Sequence, residues 1–154
     1  MIDDGSWAAV DAIWFPMLVT EQQSLLNWKS PGTYTMIPVN FASTFISKIG
    51  FPAVLANSTY LRTQYTPNIN GVNWTQNDAK ALCYIKDDVQ DDGRALGGIS
   101  NGNTMIRSRD TSNQFLGRIN GANHTGTANS SGDGLFSVST SDGANVSLKR
   151  NNTV

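Results

Sequence analysis

The sequence predicts a mainly β, antiparallel protein, and three observations predict it. From residue 80 to residue 150 the chain is a succession of short apolar segments of about strand length, with Gly, Asn and Asp filling the gaps. Charged residues make up only 15%, and the polar character comes from Asn, Ser, Thr and Gly, a mix that suits turns and strand edges better than helical bundles. The length of 154 residues, 39% apolar with four Trp, six Phe and four Tyr, suffices for one domain, 1–154, around a single two-layer core.

In chain order, residues 6–29 are expected to form a helical cover of one or two short helices, and 33–154 the strands. Trp7, Val10, Ile13 and Trp14 fall at helical spacing, with Ser6 as N-cap and Asp11 facing out. Pro16 ends any helix there, and residues 13–15 could equally start a strand. Thr20-Glu21-Gln22-Gln23 reads as a capping box whose helix buries Leu25, Leu26 and Trp28 and stops at Ser30-Pro31-Gly32. Residues 34–39 alternate, and Pro38 assigns them to an edge. Helix and strand are not separable over 41–49, whereas 59–63 reads as a strand. Residues 64–79 form a long polar connection carrying Tyr65 and Trp74, of the length at which loops often carry function.

Residues 81–85 are apolar on both alternating faces, so a covered, central strand is expected. Further strands are expected at 96–99, 104–109, 114–119, 135–140 and 146–150. In 114–119, Phe115, Gly117 and Ile119 point one way and Leu116 and Arg118 the other. The last two strands form a hairpin: Phe136, Val138 and Thr140 share one face, Val146 and Leu148 continue it, and Asp142-Gly143 supplies the tight turn. Residues 120–133 read as an Asn-Gly-rich loop.

Several functions are disfavoured on composition. A net charge of −1 with no basic block argues against nucleic-acid binding. The longest apolar run, 12–19, is broken by Pro16 and is too short to cross a bilayer, so no membrane partner is expected. The acidic start lacks the basic region of a secretory signal. Cys83 is the single cysteine, which excludes an intrachain disulfide and a cysteine metal cluster, and it reads as a small buried hydrophobe.

Candidate chemistry is sparse. Glu21 is the only glutamate and sits in a helix cap, so there is no Glu-x-Asp-x-Glu strand of the kind that places two carboxylates about 5 Å apart for glycoside hydrolysis. His124 is the only histidine, and a Ser–His–Asp set with Asp133 has no nucleophile-elbow sequence to support it. Asp87, Asp88, Asp91 and Asp92 form the densest acidic cluster, either a solvated turn or a set of oxygen ligands for Ca²⁺. Arg107, Arg109 and Arg118 are expected to line up on one sheet face, either solvated or as a platform for sugar or for acidic groups of another subunit. Tyr65 and Trp74 could stack on a sugar ring or cap the core. Asn-x-Ser/Thr sequons occur at Asn57, Asn73, Asn123, Asn129, Asn145 and Asn151, and chance accounts for them in so Asn/Ser/Thr-rich a chain.

A set of short motifs spans nearly the whole chain. They are the run from Trp7 to Trp14, Leu25-Leu26-Asn27-Trp28-Lys29, Pro31-Gly32-Thr33-Tyr34, Tyr60-Leu61-Arg62-Thr63, Asn73-Trp74-Thr75-Gln76-Asn77 and Ala95-Leu96-Gly97. Arg109 to Gln114, Gly117-Arg118-Ile119-Asn120, Gly134-Leu135-Phe136 and Leu148-Lys149-Arg150-Asn151 complete them. Together they resemble a family of phage virion proteins with a laminin-G/concanavalin-A-like jelly-roll domain. The resemblance implies a two-sheet antiparallel jelly-roll sandwich in a tail, fibre or head-surface protein of a bacteriophage. With no acid, base and nucleophile brought together in the sequence, a non-enzymatic structural role in the virion is expected, with no cofactor and with partners among other virion proteins and copies of the same chain. A carbohydrate-binding module touching host-surface glycan is the alternative, and a glycan hydrolase a more distant one. Family members usually start earlier and continue past the position of Asn151, so the domain is expected to be incomplete at its C-terminal end or completed by a neighbouring subunit.

Overall fold

The computed structural model describes residues 5–41, 44–52, 59–91, 95–97, 104–142 and 145–151. The protein is mainly β, with antiparallel sheets throughout. Its contacts divide it into two compact units, Met1–Asn73 and Trp74–Val154.

The N-terminal unit has little regular structure. Residues 5–10 make single turns, with Ala8 N–H donating to Gly5 O (3.1 Å) and Val10 N–H to Trp7 O (3.3 Å). The helix expected over 6–14 therefore does not form. Its backbone groups go elsewhere: Ile13 N–H donates to Asn27 Oδ1 (3.2 Å), and Ile13 O accepts from Trp28 N–H (2.9 Å). A chain paired across to residues 27–28 cannot also make i→i−4 bonds. Asp11, which that helix would have pointed outward, accepts from Asn73 N–H (2.9 Å), Asn73 Nδ2 (2.8 Å) and Tyr65 Oη (3.2 Å).

The second expected helix does form, as α1 (Glu21–Leu25), capped by Thr20 Oγ1 accepting from Gln23 N–H (3.2 Å). Its inward side differs from expectation. Trp28 remains 40% exposed, while Ser24 and Asn27 are fully buried. Ser24 Oγ donates to Thr20 O (3.0 Å) and accepts from Leu18 N–H (2.9 Å), so burial costs it no hydrogen bond. Strands β1 (Ile37–Val39) and β2 (Tyr60–Arg62) pair antiparallel with Pro38 opposite Leu61. The polar stretch expected to be a loop over 64–79 contains one short helix, α2 (Pro67–Asn70), with Pro at its first position, where no N–H partner is lost.

The C-terminal unit is two sheets. One has three strands: β3 (Ala79–Ile85) pairs with β8 (Gly134–Thr140), which pairs with β9 (Val146–Asn151). The other is a meander of β4 (Leu96–Gly97), β5 (Thr104–Arg107), β6 (Gln114–Ile119) and β7 (Ala122–Ala128). Their inner faces share one apolar core. Ala79, Ala81, Phe136 and Val138 come from the first sheet, and Ile106, Phe115 and Ile119 from the second. The alternation read from the sequence in 114–119 is the one observed, with Phe115, Gly117 and Ile119 buried.

The closing hairpin also follows expectation. Thr140 pairs with Val146, Val138 with Leu148 and Phe136 with Arg150, and Val146 and Leu148 extend the face of Phe136 and Val138 onto the core. Gly143 of its turn lies outside the described residues, as do residues 98–99 of the strand expected at 96–99.

Two expectations fail here. Among the described residues β3 is not central: it is an edge of its sheet, with Leu82 49% and Tyr84 52% exposed. Only Ala79, Ala81, Cys83 and Ile85 face or flank the core, so continuous apolarity here marks an uncovered outer face. Nor is 120–133 a loop, because residues 122–128 are β7. The Asn120-Gly121 pair, both at positive φ (51° and 84°), makes a two-residue hairpin between Ile119 and Ala122.

Candidate functional site

Polar side chains gather at the end of the C-terminal unit where β5 leads into β6. The connection 108–113 is organised by Asp110, whose Oδ1 accepts from Ser112 N–H and Gln114 N–H (both 2.8 Å). Asn113 takes φ 59° there, the left-handed conformation that Asn tolerates. This turn holds Arg109 beside residue 88. Arg109 Nη1 donates to both carboxylate oxygens of Asp88 (3.0 and 2.9 Å), and its Nε donates to Asn113 Oδ1 (2.9 Å).

A second layer comes from the segment before β8. Asn129 is buried: its Nδ2 donates to Ser108 O and Ser131 O (both 2.6 Å), and its Oδ1 accepts from Arg150 Nη1 (2.5 Å). Arg150 also bonds Asp133 through its side chain (3.2 Å) and main-chain oxygen (3.1 Å), and Ser131 Oγ donates to Asp133. Gly132 N–H donates to Asp88 Oδ1 (2.5 Å). That bond first, and the Arg109 hydrogen bond second, hold the Asp88 carboxyl below the usual aspartate range. Arg109, Asn113, Ala128, Asn129 and Ser130 line an open cleft of about 460 Å³.

The cleft offers hydrogen bonds and one partly exposed guanidinium, 19% accessible. Those groups suit hydroxyl or carboxylate ligands. For proton transfer the cluster is badly matched: Asp88 is held ionised by its donors, and Asp133 already accepts from Ser131 and Arg150.

The residues picked from the sequence are dispersed. Arg107 and Arg118 share the outer face of the meander sheet, since Arg107 lies opposite Leu116 and Met105 opposite Arg118. Arg109 follows the end of β5 and leaves that face for Asp88, so the three arginines do not form one row. Trp74 packs against the core, its Nε1 donating to Asn120 Oδ1 (2.8 Å), as a core cap does. Tyr65 lies in the N-terminal unit, edge-on to Trp14 (6.1 Å) and Tyr34 (5.4 Å). Burial, then the charge and hydrogen bond of Asp11, push its phenol well above the ordinary range.

Comparison with protein-family models, with curated proteins and with solved structures finds no match to this chain.

Of the acidic cluster, Asp88 is committed to Arg109 and Gly132, and Asp87 is exposed. Asp91 N–H donates to Arg109 O (3.2 Å), and Asp92 lies outside the described residues. Among the described residues no three His, Cys, Asp or Glu converge as metal ligands. His124 stands in β7 opposite Gly117. Sequence reasoning missed Asn113, Asn129, Asp133 and Arg150 as one cluster. The only local signal was the run of turn formers at 110–113 and 129–133.

Proposed function

We propose that this chain is a non-enzymatic structural module of a bacteriophage particle, a laminin-G/concanavalin-A-like jelly roll that assembles on the particle surface with copies of itself or with other virion proteins. The observation that carries this reading is the apolar outer face at the margin of the three-stranded sheet. Leu82, Tyr84 and Leu135 are exposed there, where a stand-alone protein gains nothing from them. The jelly-roll assignment draws support from two facing sheets and from β3, which pairs with the distant β8. The motifs spread from Trp7 to Asn151 supply the link to virion proteins.

Mass spectrometry and immunogold labelling of purified phage particles carrying this gene test the reading. The chain is expected in stoichiometric amounts on the particle, and its absence from intact particles overturns the assignment. Turnover of a capsular polysaccharide by the purified protein would overturn the non-enzymatic part.

The cleft at Arg109 favours a second reading, a module that binds carbohydrate on the host surface. Saturable binding on a glycan array, lost in Asn113→Ala and retained in Trp74→Phe, would establish it in place of the first.

A further inference from the structure

The exposed margin of β3 has a specific shape. The strand is seven residues long, contains no proline and runs opposite β8 in unbroken register from Ala79–Thr140 to Ile85–Gly134. Among the described residues no strand pairs with its other side. Such an edge presents a row of main-chain donors and acceptors suited to another extended segment, and proteins usually blunt it with charges, prolines or bulges. Here Lys80 is its only charge.

The geometry points to a second copy of this chain as the occupant, with β3 paired antiparallel to its own two-fold mate about Leu82. That residue is the midpoint of the strand, so the register uses its full length. Three consequences make it self-complementary. On the outer face Leu82 meets Leu82 of the mate, covering the 49% of each that is exposed. Lys80 then lies opposite Tyr84 of the mate rather than opposite a second lysine, so its stem and charge meet an aromatic face. On the inner face Ala81 meets Cys83 and Ala79 meets Ile85, each pair small against larger. A register moved two residues towards the C-terminus, about Tyr84, would instead put Leu82 against Lys86 and shorten the overlap. The two-fold pairing closes on itself and gives one six-stranded sheet.

This inference deepens the self-association in the proposed reading and rests on that part alone. A single edge buries less than the roughly 1,000 Å² of lasting interfaces, so the dimer is a weak, concentration-dependent one, formed where copies are crowded.

Sedimentation equilibrium of the full chain over a wide concentration range tests it. The wild type is expected to dimerise. Tyr84→Lys, which sets a second positive charge against Lys80 of the mate, is expected to weaken the dimer at least tenfold, with near-UV circular dichroism unchanged because Tyr84 is exposed. Adding Lys80→Asp restores opposite charges across the edge and is expected to recover association, which a merely damaged fold would not do. A wild type that stays monomeric, a Tyr84→Lys chain that associates as the wild type does, or a double variant no better than the single one each overturns the inference. A dimer formed by a chain absent from phage particles would keep the edge and discard the virion.

Discussion

Phe115 and Phe136 meet edge to face between the two sheets, with ring centroids 5.0 Å apart and planes at 79°. Both are buried, and they couple the meander to the three-stranded sheet at the centre of the shared core. Either change to Ala is expected to cost about 3–5 kcal/mol of unfolding free energy. The double variant should fall short of the summed losses by about 0.5–1.5 kcal/mol, the part belonging to the ring pair. Urea unfolding of the four chains of the cycle checks this, and strict additivity would mean the rings act independently.

The hydrogen bonds that Asp88 accepts from Gly132 N–H and then from Arg109 predict a pH dependence. With its carboxyl held below the ordinary aspartate value, Asp88 releases its proton more readily in the folded chain than in the unfolded one. Its ionisation therefore favours folding. That contribution is complete above the unfolded value of about 3.9 and is lost as pH falls through the lower folded value. Asp88→Asn should lower the melting temperature at neutral pH, and the gap to wild type should close on acidification below about pH 4. A gap that persists undiminished at the lowest pH would show that Asp88 acts through its shape alone.

Asn120 does two jobs, and two substitutions separate them. Its backbone takes the positive φ of the turn, while its side chain accepts from Trp74 Nε1 and donates to Thr75 O and Gln76 O (2.8 Å each). Asn120→Gly keeps the turn and is expected to lose about 1–3 kcal/mol with the hydrogen bonds. Asn120→Ala should lose about 1–2 kcal/mol more, the cost of a left-handed conformation with a Cβ. Equal unfolding free energies for the two variants would dismiss the backbone contribution.

Cys83 is expected to be chemically quiet. Burial pushes its thiol up to about 11, leaving little thiolate near neutral pH. A thiol reagent such as Ellman's should modify the native chain far more slowly than the urea-unfolded one at pH 8. Comparable rates would place the sulfur in open solvent.

Legibility in the sequence followed the physics of each segment. Strands β5, β6, β8 and β9 were readable because one face of each meets a core, and period-two alternation records it. β7 was not, since its residues are Ala, Asn, His, Thr and Gly, although Asn120-Gly121 ahead of it is the strongest short hairpin signal. β3 looked central because apolarity on two faces cannot distinguish a covered strand from a sticky edge. In the N-terminal unit, spacing of Trp7, Val10 and Ile13 imitated a helix while bonds from Asn27 and Asn73 decided the backbone. The Arg109 cluster was hidden for a similar reason: its members come from three separate loops and one strand, and a ladder of loop-to-loop hydrogen bonds leaves no periodic trace.

The pairing of β3 with β8 bears on how the C-terminal unit comes together in time. Every neighbour in the β4–β7 meander adjoins the next along the chain, so those ribbons zip through short closures. Ile85 must instead find Gly134 with all of that meander strung between them. β3 is therefore expected to dock after the meander and the β8–β9 hairpin have formed, so that its Ala81 side stays open to the surroundings until the chain between them is in place.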